Sequence, residues 1–246
     1  GDKSPAGMAG LVVGLADRLD SLVGLFAAGM APSGTKDPFG LRRAAIGLVQ
    51  NLINPDIEFD IRGALSEAAA SLPIKAAPEV LDACFDFIAG RFENMLLDEG
   101  KRFDVVRAVL AEQANNPTLA VKNIAELQRW TARDDWNAIL PAFSRCVRIT
   151  RELNQVYPVN AALFQEPQEK SLFIAYQDVQ KTIGASSSID VFLSSFVSLI
   201  PAINDFFNTV LVMAKDEKVR VNRLGLLQAV AGLAKGKADF SRLEGF

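Results

Sequence analysis

The sequence predicts an all-α fold, and two observations support that prediction. Apolar residues recur at spacings of three and four along nearly the whole chain, whereas the alternating polar and apolar pattern of strands is scarce. Residues typical of helix starts, such as Asp, Ser and Pro, and of helix ends, such as Gly, separate the apolar runs. With 50% hydrophobic and 22% charged residues over 246 positions, the composition is that of one large globular helical domain or two smaller ones.

The first 72 residues contain three predicted helices. Gly29 ends the first of them, and Asp37 and Pro38 supply an N-cap and a proline at the first helical position of the second. Asn54-Pro55 ends the second helix. The predicted ranges are 5–27, 38–53 and 61–71.

Two prolines within residues 72–78 predict a connection between two helical parts. We place the domain boundary there, with one domain over residues 1–76 and the other over residues 77–246. The helices predicted after this boundary cover residues 78–99, 103–114, 117–131, 134–156, 170–182, 189–214 and 217–234.

Several residues mark the ends and bends of these later helices. Ser187 or Ser188 is the expected N-cap of one helix and Asp216 that of the last. Pro201 is expected to kink the helix over 189–214. Phe192, Phe196, Phe206 and Phe207 recur at helical spacing, which predicts core residues.

The composition excludes two large classes of enzyme. The chain contains no histidine and two cysteines, so it lacks both the ligands of a His/Cys zinc site and the general base of a Ser-His-Asp or Cys-His hydrolase. Residues 8–30 are apolar, but Asp17, Arg18 and Asp20 lie in their middle, which favours a buried helix over a membrane span. The chain does not open with methionine, which predicts a piece of a longer protein. The classes of function that the composition leaves open are carboxylate chemistry, binding and scaffolding.

Charge is unevenly distributed along the chain, although the net value is −3. Residues 101–151 carry nine Lys and Arg against five Asp and Glu, and residues 215–246 carry seven against four. Residues 52–100 are acidic, with three Lys and Arg against ten Asp and Glu, and so are residues 152–214, with two against six. Two basic blocks therefore alternate with acidic ones, and the basic blocks are the candidates for contact with a polyanion.

Arg145, Arg148 and Arg151 recur at three-residue spacing on one predicted helix, so they share one sector of its surface. No carboxylate stands four residues before any of them. Guanidinium groups pair with phosphate and stack on bases, so the pattern suits nucleic acid. A solvated face is the alternative, and the sequence leaves both open.

Arg220, Asn222 and Arg223 open the last predicted helix, near Lys215 and Lys218. The two arginines could bind phosphate, and Asn222 could bond to a base edge. The alternative is that Asp216 and Glu217 pair with these cations.

Two further motifs near the N-terminus are poor matches to known sites. Gly34-Thr35-Lys36 precedes a helix, but its order differs from that of a phosphate-binding loop and no strand precedes it, so we expect a capped turn with Lys36, Arg42 and Arg43 facing a polyanion. The run 16–20 is similar to the last helix of HD-domain phosphohydrolases, in which an aspartate completes a metal site. Those enzymes need histidines, so we expect no metal at Asp17 or Asp20, and we interpret Asp17 and Arg18 as a structural pair or a relic of the fold.

Several blocks, in order along almost the whole chain, resemble one family, the β subunit of the bacterial heterotetrameric glycyl-tRNA synthetase. The most specific block is Pro32-Ser33-Gly34-Thr35-Lys36-Asp37-Pro38-Phe39-Gly40-Leu41-Arg42-Arg43. The others include Ala16-Asp17-Arg18-Leu19-Asp20, Arg102-Phe103-Asp104-Val105-Val106-Arg107, Ala142-Phe143-Ser144-Arg145-Cys146-Val147-Arg148, Phe206-Phe207-Asn208-Thr209-Val210-Leu211-Val212-Met213 and Val219-Arg220-Val221-Asn222-Arg223-Leu224.

This resemblance implies a C-terminal fragment of that subunit. Residues 1–76 are then the end of a degenerate HD-like helical body, and residues 77–246 an all-helical anticodon-binding domain like that of arginyl-tRNA synthetases. In the family, two α and two β subunits assemble in the cytoplasm; the α subunit uses ATP and Mg²⁺ to activate glycine, and the β subunit binds the tRNA. The fragment itself is then non-catalytic and needs no cofactor, and its partners are glycine tRNA and the α subunit, with no membrane and no DNA.

Combining the basic blocks with the resemblance, we expect eight residues to contact the anticodon arm: Lys101, Arg102, Arg145, Arg148, Arg151, Arg220, Asn222 and Arg223. The alternatives are a helical scaffold that binds another subunit without reading bases, and a degenerate HD-type hydrolase.

Overall fold

The computed structural model of the chain describes residues 7–184 and 187–246. Over these residues the secondary structure is helical, with two 3₁₀ turns at Ala161–Leu163 and Phe240–Arg242, and the predicted all-α fold is confirmed. The α-helices are α1 Met8–Ala27, α2 Leu41–Ile53, α3 Ile61–Ser71, α4 Pro78–Asp98, α5 Phe103–Gln113, α6 Pro117–Thr131, α7 Trp136–Thr150, α8 Pro167–Thr182, α9 Ile189–Val197, α10 Ile200–Thr209 and α11 Glu217–Gly232.

The chain divides into two compact units, residues 1–124 (unit 1) and residues 125–246 (unit 2), and the division falls within α6. The sequence placed a boundary at residue 76 instead. Helix α4, which follows that point, packs against α1, α2 and α3. The two prolines within residues 72–78 therefore mark a turn inside unit 1.

Unit 1 is built around the contacts that α1 makes with α2, α3 and α4. Apolar residues at spacings of three and four on each helix lie on the inner faces, and the side chains of Leu22, Leu48, Leu65 and Phe92 are fully buried. Helix α3 has the bounds that the sequence predicted.

Helix α2 begins three residues later than predicted. Gly40 adopts a left-handed conformation with φ of 68°, which any side chain would make costly, so Pro38 lies in the turn before the helix. Asp37 still caps α2 from this turn, because its carboxylate accepts hydrogen bonds from the backbone N–H of Leu41 (2.8 Å) and of Arg42 (2.9 Å).

Unit 2 packs α7 against α10 and α11, and α8 against α9, α10 and α11. Its core contains an aromatic cluster in which ring centroids lie 5.2–6.4 Å apart, formed by Phe143, Phe192, Phe196 and Phe240. The core prediction is confirmed for Phe192, Phe196 and Phe206, which are fully buried. It is wrong for Phe207, which is only half-buried, with its ring against the guanidinium of the half-buried Arg145.

Two predicted helices of unit 2 are shorter than expected. The helix predicted over 134–156 ends at Thr150, because side chains of α11 bind the backbone that follows: Gln228 accepts from the N–H of Tyr157 (2.9 Å) and donates to the carbonyl of Gln155 (2.8 Å). The helix predicted over 189–214 is divided into α9 and α10, since Pro201 is accommodated in the first turn of a new helix.

Ser188 and Asp216 cap helices as predicted. The Ser188 hydroxyl accepts from the N–H of Val191, and the Asp216 carboxylate accepts from those of Lys218 and Val219. Within the described ranges, no single helix has the length and apolarity of a membrane span; α9 and α10 meet that criterion only together, with a bend of 50° between them.

Candidate nucleic-acid interface

Helix α7 presents two of the predicted arginines without an acidic partner. The Arg145 guanidinium lies over the ring of Phe207, 4.3 Å from its centroid, and donates to Oδ1 of Asn204 at 3.3 Å. Arg148, one turn later and exposed, lies 5.5 Å from the ring centroid of Phe246. Over residues 7–184 and 187–246, neither guanidinium lies within ion-pair distance of a carboxylate.

Arg151 differs from these two arginines. It lies just beyond the end of α7, where its backbone N–H donates to the carbonyl of Val147 (2.9 Å). Its guanidinium Nε is 3.3 Å from Oε1 of Glu152, and both side chains are exposed. Its charge is therefore partly compensated, and the three-residue sector predicted from the sequence reduces to Arg145 and Arg148.

Arg220 helps to fix the loop between α10 and α11. Its Nη1 donates to the carbonyl of Ala214 at 3.1 Å, and the side chain is half-buried. In the described structure Asp216 caps α11, and no ion pair joins Asp216 or Glu217 to Arg220. The structure therefore contradicts the alternative in which Asp216 and Glu217 neutralise Arg220.

Asn222 is buried and faces the interior of unit 2, not its surface. Its Oδ1 accepts from the backbone N–H of Asn160 at 2.7 Å, and its Nδ2 donates to the carbonyl of the same residue at 3.1 Å. Both polar groups of the amide are therefore used inside the fold. We correct the sequence-based expectation accordingly: Asn222 has a structural role.

Arg223 is buried as well and is fully engaged. It forms a two-point ion pair with Glu169 and donates to the carbonyl of Leu211 at 2.9 Å. Burial alone would raise the pKa of the Glu169 carboxyl, but hydrogen bonds from Arg223 and from the N–H groups of Glu166 and Gln165 outweigh it, so this pKa lies below its ordinary value. Arg223 therefore organises unit 2 and leaves no guanidinium face for RNA.

Lys101 and Arg102 lie in unit 1, at the turn between α4 and α5. Lys101 is half-buried, and its backbone N–H donates to the carbonyl of Leu96 (3.1 Å). Arg102 pairs with Asp104, with Nη2 2.7 Å from Oδ2 and Nε 3.1 Å from Oδ1. An internal carboxylate thus already occupies the Arg102 guanidinium.

The loop before α2 gives no support to a phosphate-binding loop. The carboxylate of Asp37 already accepts from the backbone N–H groups at the start of α2, and the Arg42 guanidinium donates to the carbonyl of Gly34. Lys36 and Arg43 remain exposed. Of the three residues predicted to face a polyanion, Lys36 and Arg43 are therefore the two whose side chains remain accessible.

The residues similar to an HD-type site are dispersed over the surface of α1. Asp17 and Asp20 are exposed, and Arg18 donates to the carbonyl of Gly14 (2.8 Å) instead of pairing with Asp17. In the part of the chain that is described, no group of three or more Asp, Glu, Cys or His could hold a metal ion.

Burial raises the pKa of both Cys84 and Cys146 to about 12, so neither thiol is a ready nucleophile.

Sequence reasoning missed two exposed apolar side chains in unit 2. Leu211 and Met213, in the loop between α10 and α11, are 69% and 59% exposed, although the sequence placed them inside a helix. The alternation of Val210, Leu211, Val212 and Met213, with two valines buried, is the signal that could have identified an extended segment.

Comparison with known proteins gives this geometry a context. A family profile described as "Glycyl-tRNA synthetase beta subunit" matches residues 1–111, and one described as "DALR anticodon binding domain" matches residues 139–236. The second range contains Arg145, Arg148 and Arg220, whereas Lys101 and Arg102 lie in the first.

Curated relatives resemble the chain over its full length. It is 40% identical to glycine–tRNA ligase, chloroplastic/mitochondrial 2, of Arabidopsis thaliana, with 100% of the chain and 23% of that protein covered. It is 36% and 33% identical to glycine–tRNA ligase β subunits of Geotalea daltonii and Moorella thermoacetica, with 99% of the chain and 36% of each relative covered. The chain thus spans about a third of the length of these β subunits.

Proposed function

The chain belongs to the glycyl-tRNA synthetase β-subunit family, and from this premise we propose that it is a tRNA-binding part of glycine–tRNA ligase. One observation carries the proposal: within the segment similar to an anticodon-binding domain, α7 presents Arg145 and Arg148 with no carboxylate partner among the described residues. Cations that a fold leaves unpaired and holds in place suit an external polyanion.

The proposed contact surface in unit 2 consists of four arginines. Arg145 and Arg148 on α7 are its principal members, and we include with them Arg151, which lies near an exposed glutamate, and Arg220, which is half-buried on α11. In RNA recognition, arginines of this kind bind phosphates and stack on unpaired bases, which suits the anticodon arm of glycine tRNA. In unit 1 the exposed Lys36 and Arg43 are candidates for an additional backbone contact.

The ATP-dependent attachment of glycine then belongs to a different subunit. We assign ATP, Mg²⁺ and the glycine site to the α subunit, and we expect two α and two β subunits to assemble in the cytoplasm. The described residues of this chain serve to hold the tRNA and need no cofactor for that role.

Unit 1 favours a scaffold role beside the tRNA-binding one. Met8, Val12 and Val13 on α1 are 66%, 57% and 68% exposed, so three apolar side chains face outward near the start of this helix. We propose that the α subunit of the assembled ligase covers this face. Replacing Val12 and Val13 by Glu in the full-length β subunit should then reduce its co-purification with the α subunit while leaving tRNA binding by unit 2 intact, and unchanged co-purification would contradict this contact.

Binding of the chain to glycine tRNA and to a non-cognate tRNA over a series of salt concentrations tests the main proposal. The double variant R145A/R148A should weaken binding and reduce the slope of log K against log salt by about 2, since each phosphate contact contributes about 1. The matched control K170A/K181A removes two exposed lysines from α8 and should leave the slope near that of the parent chain.

Two results would contradict the proposal. Equal effects of the two double variants would mean that net charge alone is sensed, and no salt-dependent tRNA binding by the parent chain would favour the scaffold alternative. Preference for glycine tRNA over the non-cognate tRNA would support reading of the anticodon.

A further inference from the structure

Arginines over aromatic rings are frequent in this chain, and their other partners distinguish them. In the described part of the chain six arginines make such contacts: Arg62, Arg91, Arg107, Arg133, Arg145 and Arg148. Three also pair with a carboxylate, at 2.9 Å for Arg62 and 2.7 Å for Arg107 and Arg133. Arg91 and Arg145 are both half-buried, but the Nε of Arg91 is enclosed without a hydrogen-bond partner, whereas Arg145 donates to Asn204. Among these six, Arg145 and Arg148 are the two that combine a ring contact with neither an ion pair nor an enclosed nitrogen.

The Arg145 guanidinium is fixed in orientation as well as in position. The ring of Phe207 lies beneath it at 4.3 Å, and Asn204, one turn earlier on α10, accepts from its Nη1. The Phe207 ring is in turn held edge-on by Phe206, at 5.7 Å between centroids, and Phe206 is fully buried. A planar cation that is held in this way loses little freedom when a second flat group binds to it.

Arg148, one turn later, makes a looser ring contact. Its guanidinium lies 5.5 Å from the centroid of the Phe246 ring, and the side chain is exposed. Because four other arginines also lie over rings, the ring contact alone does not mark a site; at Arg145 and Arg148 it occurs together with the absence of an ion pair among the described residues.

Stacking on a guanidinium favours unpaired nucleotides over a duplex. Inside a duplex both faces of each base are already covered by neighbouring bases, whereas bases in single-stranded loops can be splayed out and stack on Arg guanidinium planes. A surface that offers two guanidinium faces therefore suits loop bases.

We infer that Arg145 and Arg148 form a stacking platform for two neighbouring unpaired RNA bases, each held on a guanidinium whose other side is supported by a phenylalanine ring. This inference rests on the proposed tRNA-binding function and specifies what that surface recognises: base faces in a single-stranded loop, with phosphate attraction as an accompanying effect.

Lysine substitution separates stacking from charge, because lysine keeps the positive charge and lacks the planar group. The probe is an RNA stem–loop with the anticodon loop of glycine tRNA, carrying 2-aminopurine, whose fluorescence falls on stacking, at one loop position at a time. R145K/R148K should bind this RNA about tenfold or more weakly, with the salt slope unchanged and the quenching reduced. A duplex RNA of the same length should bind the parent chain and the R145K/R148K variant with equal affinity.

The control variant R107K/R133K alters two arginines that have both a ring and a carboxylate, and it should bind like the parent chain. Phe246→Ala, which removes the ring beneath Arg148 at the end of the chain, should reduce quenching at a single loop position and so test the platform without the arginine changes.

Equal affinity and quenching for R145K/R148K and the parent chain would overturn the inference while leaving the proposed function in place, since charge alone would then suffice. Absence of binding to both the stem–loop and whole glycine tRNA by the parent chain would overturn the proposed function itself.

Discussion

Arg223 and Glu169 form a two-point ion pair inside unit 2, with Nε 3.0 Å from Oε1 and Nη2 3.1 Å from Oε2. Their side chains are 5% and 0% exposed. The remaining capacity of the carboxylate is used by the backbone N–H groups of Gln165 and Glu166, and Arg223 also reaches the carbonyl of Leu211. This pair joins the start of α8 to α11 and to the loop before α11.

Glu169→Ala should destabilise unit 2 strongly. It leaves a buried guanidinium without its counter-charge, and removing one partner of a buried pair costs about 3–5 kcal/mol. Denaturant unfolding followed by circular dichroism measures the loss. The control Asp178→Ala breaks the exposed pair with Lys181, and exposed pairs typically contribute about 1 kcal/mol or less. Similar losses for the two variants would show that burial does not govern the contribution of the Glu169 pair.

The same carboxylate predicts the direction of pH dependence. Although burial opposes it, hydrogen bonding holds the pKa of Glu169 below its ordinary value of 4.5, and the same balance holds that of Asp239 below 3.8. A carboxyl whose pKa is lower in the folded state adds stability above its unfolded pKa and loses it as the pH falls through the folded pKa. The free energy of unfolding should therefore begin to decline near pH 4.5 and continue to fall below it.

Glu169→Gln should flatten that decline, because it removes the titrating group, at the cost of lower stability at neutral pH. Asp178→Asn, at an exposed position of α8, is the control and should leave the profile as it is. If the free energy of unfolding of the Glu169→Gln variant declined in acid as that of the parent chain does, other carboxylates would be responsible for the decline.

Asn222→Ala distinguishes the structural role seen in the fold from the base contact expected from the sequence. Loss of the amide removes both hydrogen bonds to the backbone of Asn160, each of which contributes about 0.5–1.5 kcal/mol. We expect this loss of stability, with tRNA affinity unchanged at temperatures where the variant is folded. A variant of normal stability with weakened tRNA binding would restore Asn222 to the interface.

The local pattern of the sequence predicted the helices well, and the misassigned residues show where such patterns end. Helix α3 has its predicted bounds, because caps, breakers and apolar spacing all act within one or two turns. The fates of Asn222 and Arg223 depend on Asn160 and Glu169, more than 50 positions earlier. The sequence around a basic residue early in a helix is the same whether that residue pairs with a distant carboxylate or is exposed to solvent.

The candidate surface was predicted in part for the same reason. Spacing alone identified Arg145 and Arg148 as neighbours, since positions i and i+3 share a helix face. The supporting ring of Phe207 comes from α10, and nothing in the local sequence connects it to Arg145. The end of α7 was also overestimated, because the hydrogen bonds that Gln228 offers to residues 155–157 depend on tertiary packing.

Gly225 and Gly232, both on α11, provide a matched pair of substitutions. A Cβ at Gly225 would lie 2.7 Å from the backbone oxygen of Tyr157, whereas a Cβ at Gly232 meets nothing within 4 Å. Gly225→Ala should therefore destabilise unit 2 by about 1–3 kcal/mol, since the segment after α7 must move away from α11. Gly232→Ala should instead stabilise it by about 0.5–1 kcal/mol, because alanine restricts the unfolded chain and favours the helix. Denaturant midpoints of the two variants check both signs, and a Gly225→Ala variant as stable as Gly232→Ala would mean that residues 155–157 do not pack on α11 as described.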